Sequence, residues 1–435
     1  VEIRTREILI WFTALVFAGF IAVGISSSSM AGIFLESKSK GFLAVLVMLS
    51  SVVFVVVTSV KNHYQIAKFV YLGLSLRLIV LIAIAFFNIL PYSFDVAWDE
   101  YSEILLPNWQ RGDFGYSFPM SGNVKYYTYL ATSVYYIFGS NPVFMMLLNV
   151  LWGTLSIILI YRIGSELFNE KSGKLAAFIL AFWPSHILFS AMNMRDSLAT
   201  ILILALLLNL IKWIKYSKGS SLFLVVVLLI GNIMIRQQNA ALLGGTVLPL
   251  IVLFAIKRAH PLLKPIWVIA GFGGLLGLFG VAWKLGYLSA LDISYVIREM
   301  NYRTDGGSAY LTSMQYSSWL DIIIYAPVRL IFFLFTPFLW QAYNLQQALS
   351  AVESLILMFF SAVVIKNIRL LRGVSKNKLA MTAFILICFI GLLANSIIDS
   401  NTGTAVRHKL QFLCMVFVLY SYIKTKKKES TTERI

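Results

Sequence analysis

The sequence predicts an all-α fold, a polytopic bundle of transmembrane helices, and three observations predict it. The 435 residues are 59% hydrophobic and only 13% charged, more apolar surface than a soluble chain of this length can hide. Charge-free windows recur at 8–35, 41–60, 143–161, 175–194, 237–256 and 379–398, each at or near the roughly 20 residues that a spanning helix needs. Basic residues collect in alternate connectors, the asymmetry that orients a membrane protein.

Taken in order, the apolar runs predict about 12 spans, near 8–30, 41–60, 69–91, 143–162, 173–192, 197–212, 220–236, 238–256, 265–283, 348–365, 379–398 and 408–424. The first is expected to be retained, because its apolar run is too long for the core of a cleaved signal. The run 322–340 is apolar but holds Pro327, Arg329 and Pro337. It is expected to be a broken or re-entrant segment, which is tolerated at membrane depth only inside protein. Four divisions follow: two additional N-terminal spans over 1–60, a transmembrane module over 61–283 with an outer acidic loop at 92–142, an outer loop plus the broken segment over 284–347, and C-terminal spans with a basic tail over 348–435.

Charge sorts by side. With the N-terminus in the cytoplasm, the N-terminal strip, five connectors and the tail KTKKKESTTERI hold 23 of the 36 Lys and Arg. The opposite face holds 12 of the 19 Asp and Glu. The net charge of +17 is then a topology signal plus attraction to anionic lipid headgroups, and it gives no support to nucleic-acid binding. Cys388 and Cys414, the only cysteines, cannot build a disulfide framework or a CxxC metal site. The expected location is the cell (cytoplasmic) membrane, with membrane lipids as partners.

Chemistry is expected where long connectors lie outside, because long loops in compact proteins tend to be functional. In FDVAWDEYSEILLPNW (94–109), Asp95, Asp99, Glu100 and Glu103 follow an apolar run. Carboxylates there can serve as a general base or bind a divalent cation through oxygen; ordinary solvated acids are the alternative. AMNMRDSLAT (191–200) sets Arg195 at an outer helix boundary, as part of a site or of a simple capping turn. NIMIRQQNAALL (232–243) places Arg236 in a short turn between apolar helices. A charge so deep needs either an anionic ligand or an internal acid. NYRTDGGSAYLT (301–312) offers Arg303 and two glycines, as a phosphate cradle or a tight turn. NTGTAVRHKLQFL (401–413) puts Arg407, His408 and Lys409 at the start of a span on the acidic side, to meet an anionic substrate or to snorkel. Together these describe carboxylates on one wall and cations on another, suited to an anionic lipid-linked substrate.

This arrangement resembles the GT-C superfamily of polytopic glycosyltransferases, near the protein-mannosyltransferase and aminoarabinose-transferase branch. WDE after an early span is similar to that family's acidic first outer loop. The run from YYTYLATSVYYIFG through AFWPSHILFSAMNMRDS is similar to its next segment, RQQNAALL to its short-turn helix pair, and RHKLQFLC to the opening of a late span. The likeness covers roughly 70–425. It implies a polyprenyl-phosphate-linked sugar donor, a glycan, lipid or protein acceptor, transfer at the outer face with inversion, and often a divalent cation such as Mg or Mn. By position, it implies that Asp99 is the catalytic or metal-side acid with Glu100 beside it. It also implies that Arg407, His408 and Lys409 form the late cationic cluster; Arg195, Arg236 and Arg303 are expected, from the outer motifs themselves, as further phosphate-binding cations. The alternatives are a lipid-linked glycan polymerase or ligase and, in a different class, a lipid-linked glycan flippase or exporter. An exporter favours internal repeats and charges along a central pathway, and the sequence has neither in quantity.

Overall fold

The computed structural model describes residues 38–87, 97–116, 120, 122–258, 265, 268–269, 273, 292–304, 308–373 and 378–432. The expected span 8–30 and nearly all of 265–283 lie outside the described residues, as do Asp95 and the Asp305–Gly307 turn. The described residues are helical, with no strand among them beyond one isolated bridge between Ala309 and Asn401. The all-α expectation therefore holds. Among the described residues five helices are long and apolar enough to cross a membrane, or six with one bent pair, so the expected twelve spans are matched only in part. The chain divides into two compact units, 1–162 with 174–201, and 163–173 with 202–435.

In the first unit, α1 (Lys38–Val60) and α2 (Ala67–Phe87) are joined by a tight 3-10 segment, Lys61–Ile66, rather than an open loop. In apolar surroundings a hydroxyl must find an acceptor on its own helix. Ser51 donates to the carbonyl of Val47 at 2.8 Å and Thr58 to that of Phe54 at 2.9 Å. Helix α3 (Ala97–Gln110) opens with Asp99 and Glu100 in its first turn, where carboxylates complement the helix dipole. The chain reverses at Gly112, whose φ of 87° suits glycine. It returns as α4 (Gly122–Phe138), packed on α3. Asn141 caps α5 (Pro142–Leu167) by accepting from the Val143 N–H at 2.9 Å, with Pro142 at the favoured first position.

The expected span 173–192 is broken. Helix α6 (Glu170–Ala181) ends before Trp183, and α7 (Pro184–Ser190) leaves at 62°. Pro184 lacks the N–H that would continue α6. The fully buried Arg77 of α2 braces the break, donating to the carbonyl of Gly73 at 2.8 Å and bonding His186 Nδ1 at 2.6 Å. Gly153 lets α7 come close, since a Cβ there would stand 2.4 Å from Ser190 Cβ. Residues 191–195 then lead into α8 (Asp196–Tyr216).

In the second unit, α9 (Gly219–Ile235) and α10 (Asn239–Arg258) meet at a short turn holding Arg236, and α11 (Ile293–Thr304) follows. Of the segment 322–340 expected to be broken or re-entrant, the part to Phe335 belongs to one helix, α12 (Trp319–Phe335), continuous through Pro327; the helix ends before Pro337, and a 3-10 turn follows at Leu339–Gln341. A capping box between Ser318 and Asp321 starts α12. Arg329 is fully buried and donates to the carbonyls of Ser396 at 3.2 Å and Asp399 at 3.3 Å. Those carbonyls close α14 (Lys378–Ile398), so the guanidinium sits where the dipole favours a cation. Helices α13 (Leu345–Lys366), α15 (Thr402–Leu410) and α16 (Cys414–Thr432) complete the unit.

Candidate active site

The acidic loop lands in the first unit. Asp99 is partly buried on α3, and its Oδ1 accepts two hydrogen bonds from neutral donors. One comes from the phenol of Tyr135 on α4; the other comes from Asn193 Nδ2, between α7 and α8, at 2.8 Å. Oδ2 takes no hydrogen bond among the described residues. Burial of the charge raises the Asp99 carboxyl most, with help from Glu103 and Glu100; the hydrogen bonds of Tyr135 and Asn193 oppose this, and the balance is a pKa of about 6. Glu100 and Glu103 are exposed. Arg195 stands two residues from Asn193, so the structure brings the Arg195 segment to the acid it was expected to join.

Four residues of this site went unnoticed in the sequence: Tyr135, Asn193, Tyr127 and Asn149. Tyr127 Oη donates to Asn193 Oδ1 at 2.9 Å and accepts from Asn149 Nδ2 at 2.9 Å. All four are buried. The available signal was Asn149 itself, an amide in the middle of an apolar run, which must have a partner somewhere.

The late cations land in the second unit, where Arg303 and His408 meet Asp399. Its Oδ2 lies 2.7 Å from His408 Nδ1, and its Oδ1 accepts from Arg303 Nη1. Glu299 also pairs with Arg303, at 3.7 Å. Burial alone raises the Asp399 carboxyl, but the neighbouring His408 and Arg303 outweigh it and hold it at about 2. Arg303 is therefore already met by internal acids. Lys409 turns away from this cluster and donates to the carbonyls of Leu334 at 2.8 Å and Thr336 at 3.1 Å. Arg407 is buried on α15, and Arg236 is fully buried at the end of α9. Beside Arg236, Asn239 Nδ2 donates to Asn232 Oδ1 at 2.7 Å and faces Gln411 Oε1 at 3.4 Å. A cavity of about 240 Å³ is lined by Arg303, Asn239, Tyr295 and Trp319, with apolar walls such as Leu242 and Ile398.

Among the described residues, no group of three or more His, Cys, Asp or Glu could enclose a metal ion. Asp99 and Glu100 are adjacent carboxylates in the first turn of α3, and one or two carboxylates is the number that Mg shares with substrate phosphate and water in its open mode.

Asp99 is thus an acid with one oxygen tethered and the other without a hydrogen bond among the described residues, on a helical scaffold. Comparison with known proteins points the same way as the sequence resemblance over part of the chain. The family model that matches is that of dolichyl-phosphate-mannose-protein mannosyltransferase, over residues 126–284. That segment runs from α4, past Asn149 and Asn193, into the second unit. Among solved structures, the archaeal oligosaccharyltransferase AglB from Archaeoglobus fulgidus, in complex with an inhibitory peptide and a dolichol-phosphate, aligns with 11% identity and a TM-score of 0.46. The alignment covers 86% of this chain and 52% of that one, so the chain spans about half the length of that protein. No curated protein matches the chain.

Proposed function

We propose that this chain transfers a sugar from a polyprenyl-phosphate-linked donor to a cell-envelope glycan, lipid or protein at the outer face of the membrane. An acceptor hydroxyl attacks the anomeric carbon as the bond from that carbon to the phosphate oxygen breaks, with inversion. The hydroxyl proton passes to Asp99 Oδ2, and the polyprenyl phosphate leaves with the bonding electrons. The observation that carries this reading is the state of Asp99. One oxygen is tethered, the other is open, and a pKa of about 6 is near the value that suits a general base at neutral pH. The match to a family named for a dolichyl-phosphate sugar donor supports the donor class.

Arg195, Arg236 and Arg407 keep the proposed role of meeting the donor's phosphate, whereas His408 is held by Asp399 and Lys409 by the Leu334 and Thr336 carbonyls. Preorganised cations at a leaving group are typically worth about 3–4 kcal/mol. In the alternative role that the sequence left open, Asp99 and Glu100 would hold a Mg or Mn ion in place of Asp99 taking the proton, and the ion would supply charge neutralisation.

The test uses the purified full chain in lipid nanodiscs with three donors: a polyprenyl-phosphate sugar, a polyprenyl-pyrophosphate glycan and a nucleotide sugar. Release of polyprenyl phosphate from the first alone is expected. Consumption of the pyrophosphate donor would favour a polymerase or ligase instead. Transbilayer movement of intact donor without bond cleavage would favour an exporter.

A further inference from the structure

We propose that Asn193 and Tyr135 are positioning residues that present a single oxygen of Asp99 to the acceptor hydroxyl, and that Tyr127 and Asn149 lock the Asn193 amide to do so. This rests on the base role of Asp99 given above. It extends that role to four residues from three other parts of the first unit.

The direction of every hydrogen bond in the chain follows from one fact. An ionised carboxylate can only accept. Asn193 must therefore turn its NH₂ toward Asp99 Oδ1, 2.8 Å away. Its carbonyl oxygen then faces Tyr127, so the Tyr127 hydroxyl must donate, over 2.9 Å. A hydroxyl that donates one way is free to accept the other way, and Asn149 Nδ2 fills that place at 2.9 Å. Asn149 is held in turn by the Met145 carbonyl on its own helix at 2.9 Å. The relay has one consistent polarity from α5 through α4 to the acid. Tyr135, also on α4, adds a second donor to the same oxygen.

Four buried polar side chains are an expensive way to pack helices, since partly matched polar networks cost more than apolar ones. A purely structural network has no need to end on a carboxylate or to leave one of its oxygens open. Two donors on Oδ1 fix the plane of the carboxylate and point the remaining lone pairs of Oδ2 one way, which is the preorganisation that proton abstraction requires. The charges acting on Asp99 are Glu103 and Glu100 on its own helix. Tyr135 from α4 and Asn193 from the 191–195 segment oppose them with neutral donors.

The test is kcat against donor KM in the full chain for Tyr135→Phe, Asn193→Leu, Asn193→Asp and Tyr127→Phe, with Asp99→Asn as control. Misplaced geometry lowers kcat by about tenfold to a hundredfold, with donor KM nearly unchanged. Asn193→Asp keeps the shape but sets a second acid against the first, so its kcat falls furthest. Tyr127→Phe frees the amide to rotate and its kcat falls least. A kcat that stays in place in Asn193→Asp and Tyr127→Phe, both of which keep the packing, overturns the positioning role. With Asp99→Asn inactive, that result leaves the base reading intact. An active Asp99→Asn sinks both.

Discussion

Asp99 and Asp399 are the same residue in two regions of one chain, and their surroundings make them opposite groups. Asp99, in the first unit, is met by a phenol and an amide, neither of them charged. Burial wins, and the carboxyl titrates at about 6. Asp399, in the second unit, is more deeply buried but is met by Arg303 and His408. Charge wins, and the carboxyl is held at about 2. Depth alone does not decide whether a buried acid can move a proton; the charge of its partners does. Asp99 can give and take a proton near neutrality, while Asp399 is a fixed anion that ties α11, α14 and α15 together.

The largest effect expected from this contrast is on stability. Asp399→Ala takes from Arg303 and His408 the fully buried acid between them, leaving the half-buried Arg303 with Glu299 at 3.7 Å. Removing one partner of a buried pair typically costs about 3–5 kcal/mol, read as a large fall in Tm or as failure to accumulate in the membrane. Asp99→Asn should hardly change Tm, because its partners are neutral and an amide can replace the lost acceptor. Its effect is on turnover, a fall of about a hundredfold or more. If both variants unfold alike, the two acids are not different in kind.

Acidification separates the two groups next. Asp99 has its folded value raised from 3.8, so its ionisation opposes folding and protonation relieves that as pH falls through 6. Asp399 has its folded value lowered from 3.8; its contribution is present above that pH and is lost as pH falls toward 2. Between about pH 4 and 6 the chain should lose activity and stay folded, measured by turnover and near-UV circular dichroism on the same samples. Loss of both signals together across that window would break the comparison.

The smallest effect calibrates the rest. Lys171 and Glu429 also form an ion pair, at 2.8 Å, but with side chains 70% and 43% exposed. Lys171→Ala should change stability by less than about 1 kcal/mol, as surface pairs do, against several for the buried pair of Arg303 and Asp399. A comparable loss at both sites would mean that burial is not what gives Asp399 its weight.

The class of this protein was legible in the sequence because membrane insertion is decided locally. A helix must carry about 20 apolar residues along its own length, and that count needs no knowledge of neighbours. Asp99 was legible for the same reason, as an acid in the first turn after an apolar run. Breaks and partners were not. Pro184 divides an expected span and Pro327 does not divide α12, because a proline ends a helix only where packing fails to meet the groups it frees. Arg303 could be read as waiting for a phosphate until Asp399, 96 residues on, was found to hold it. Asn193 reaches Asp99 across 94 residues and Tyr127 reaches Asn193 across 66. Hydrophobic period reports which face of a helix is buried but not what is buried against it. A polar group in an apolar run announces that it has a partner; only the tertiary structure chooses which one, and in choosing it gives one aspartate neutral partners and the other charged ones.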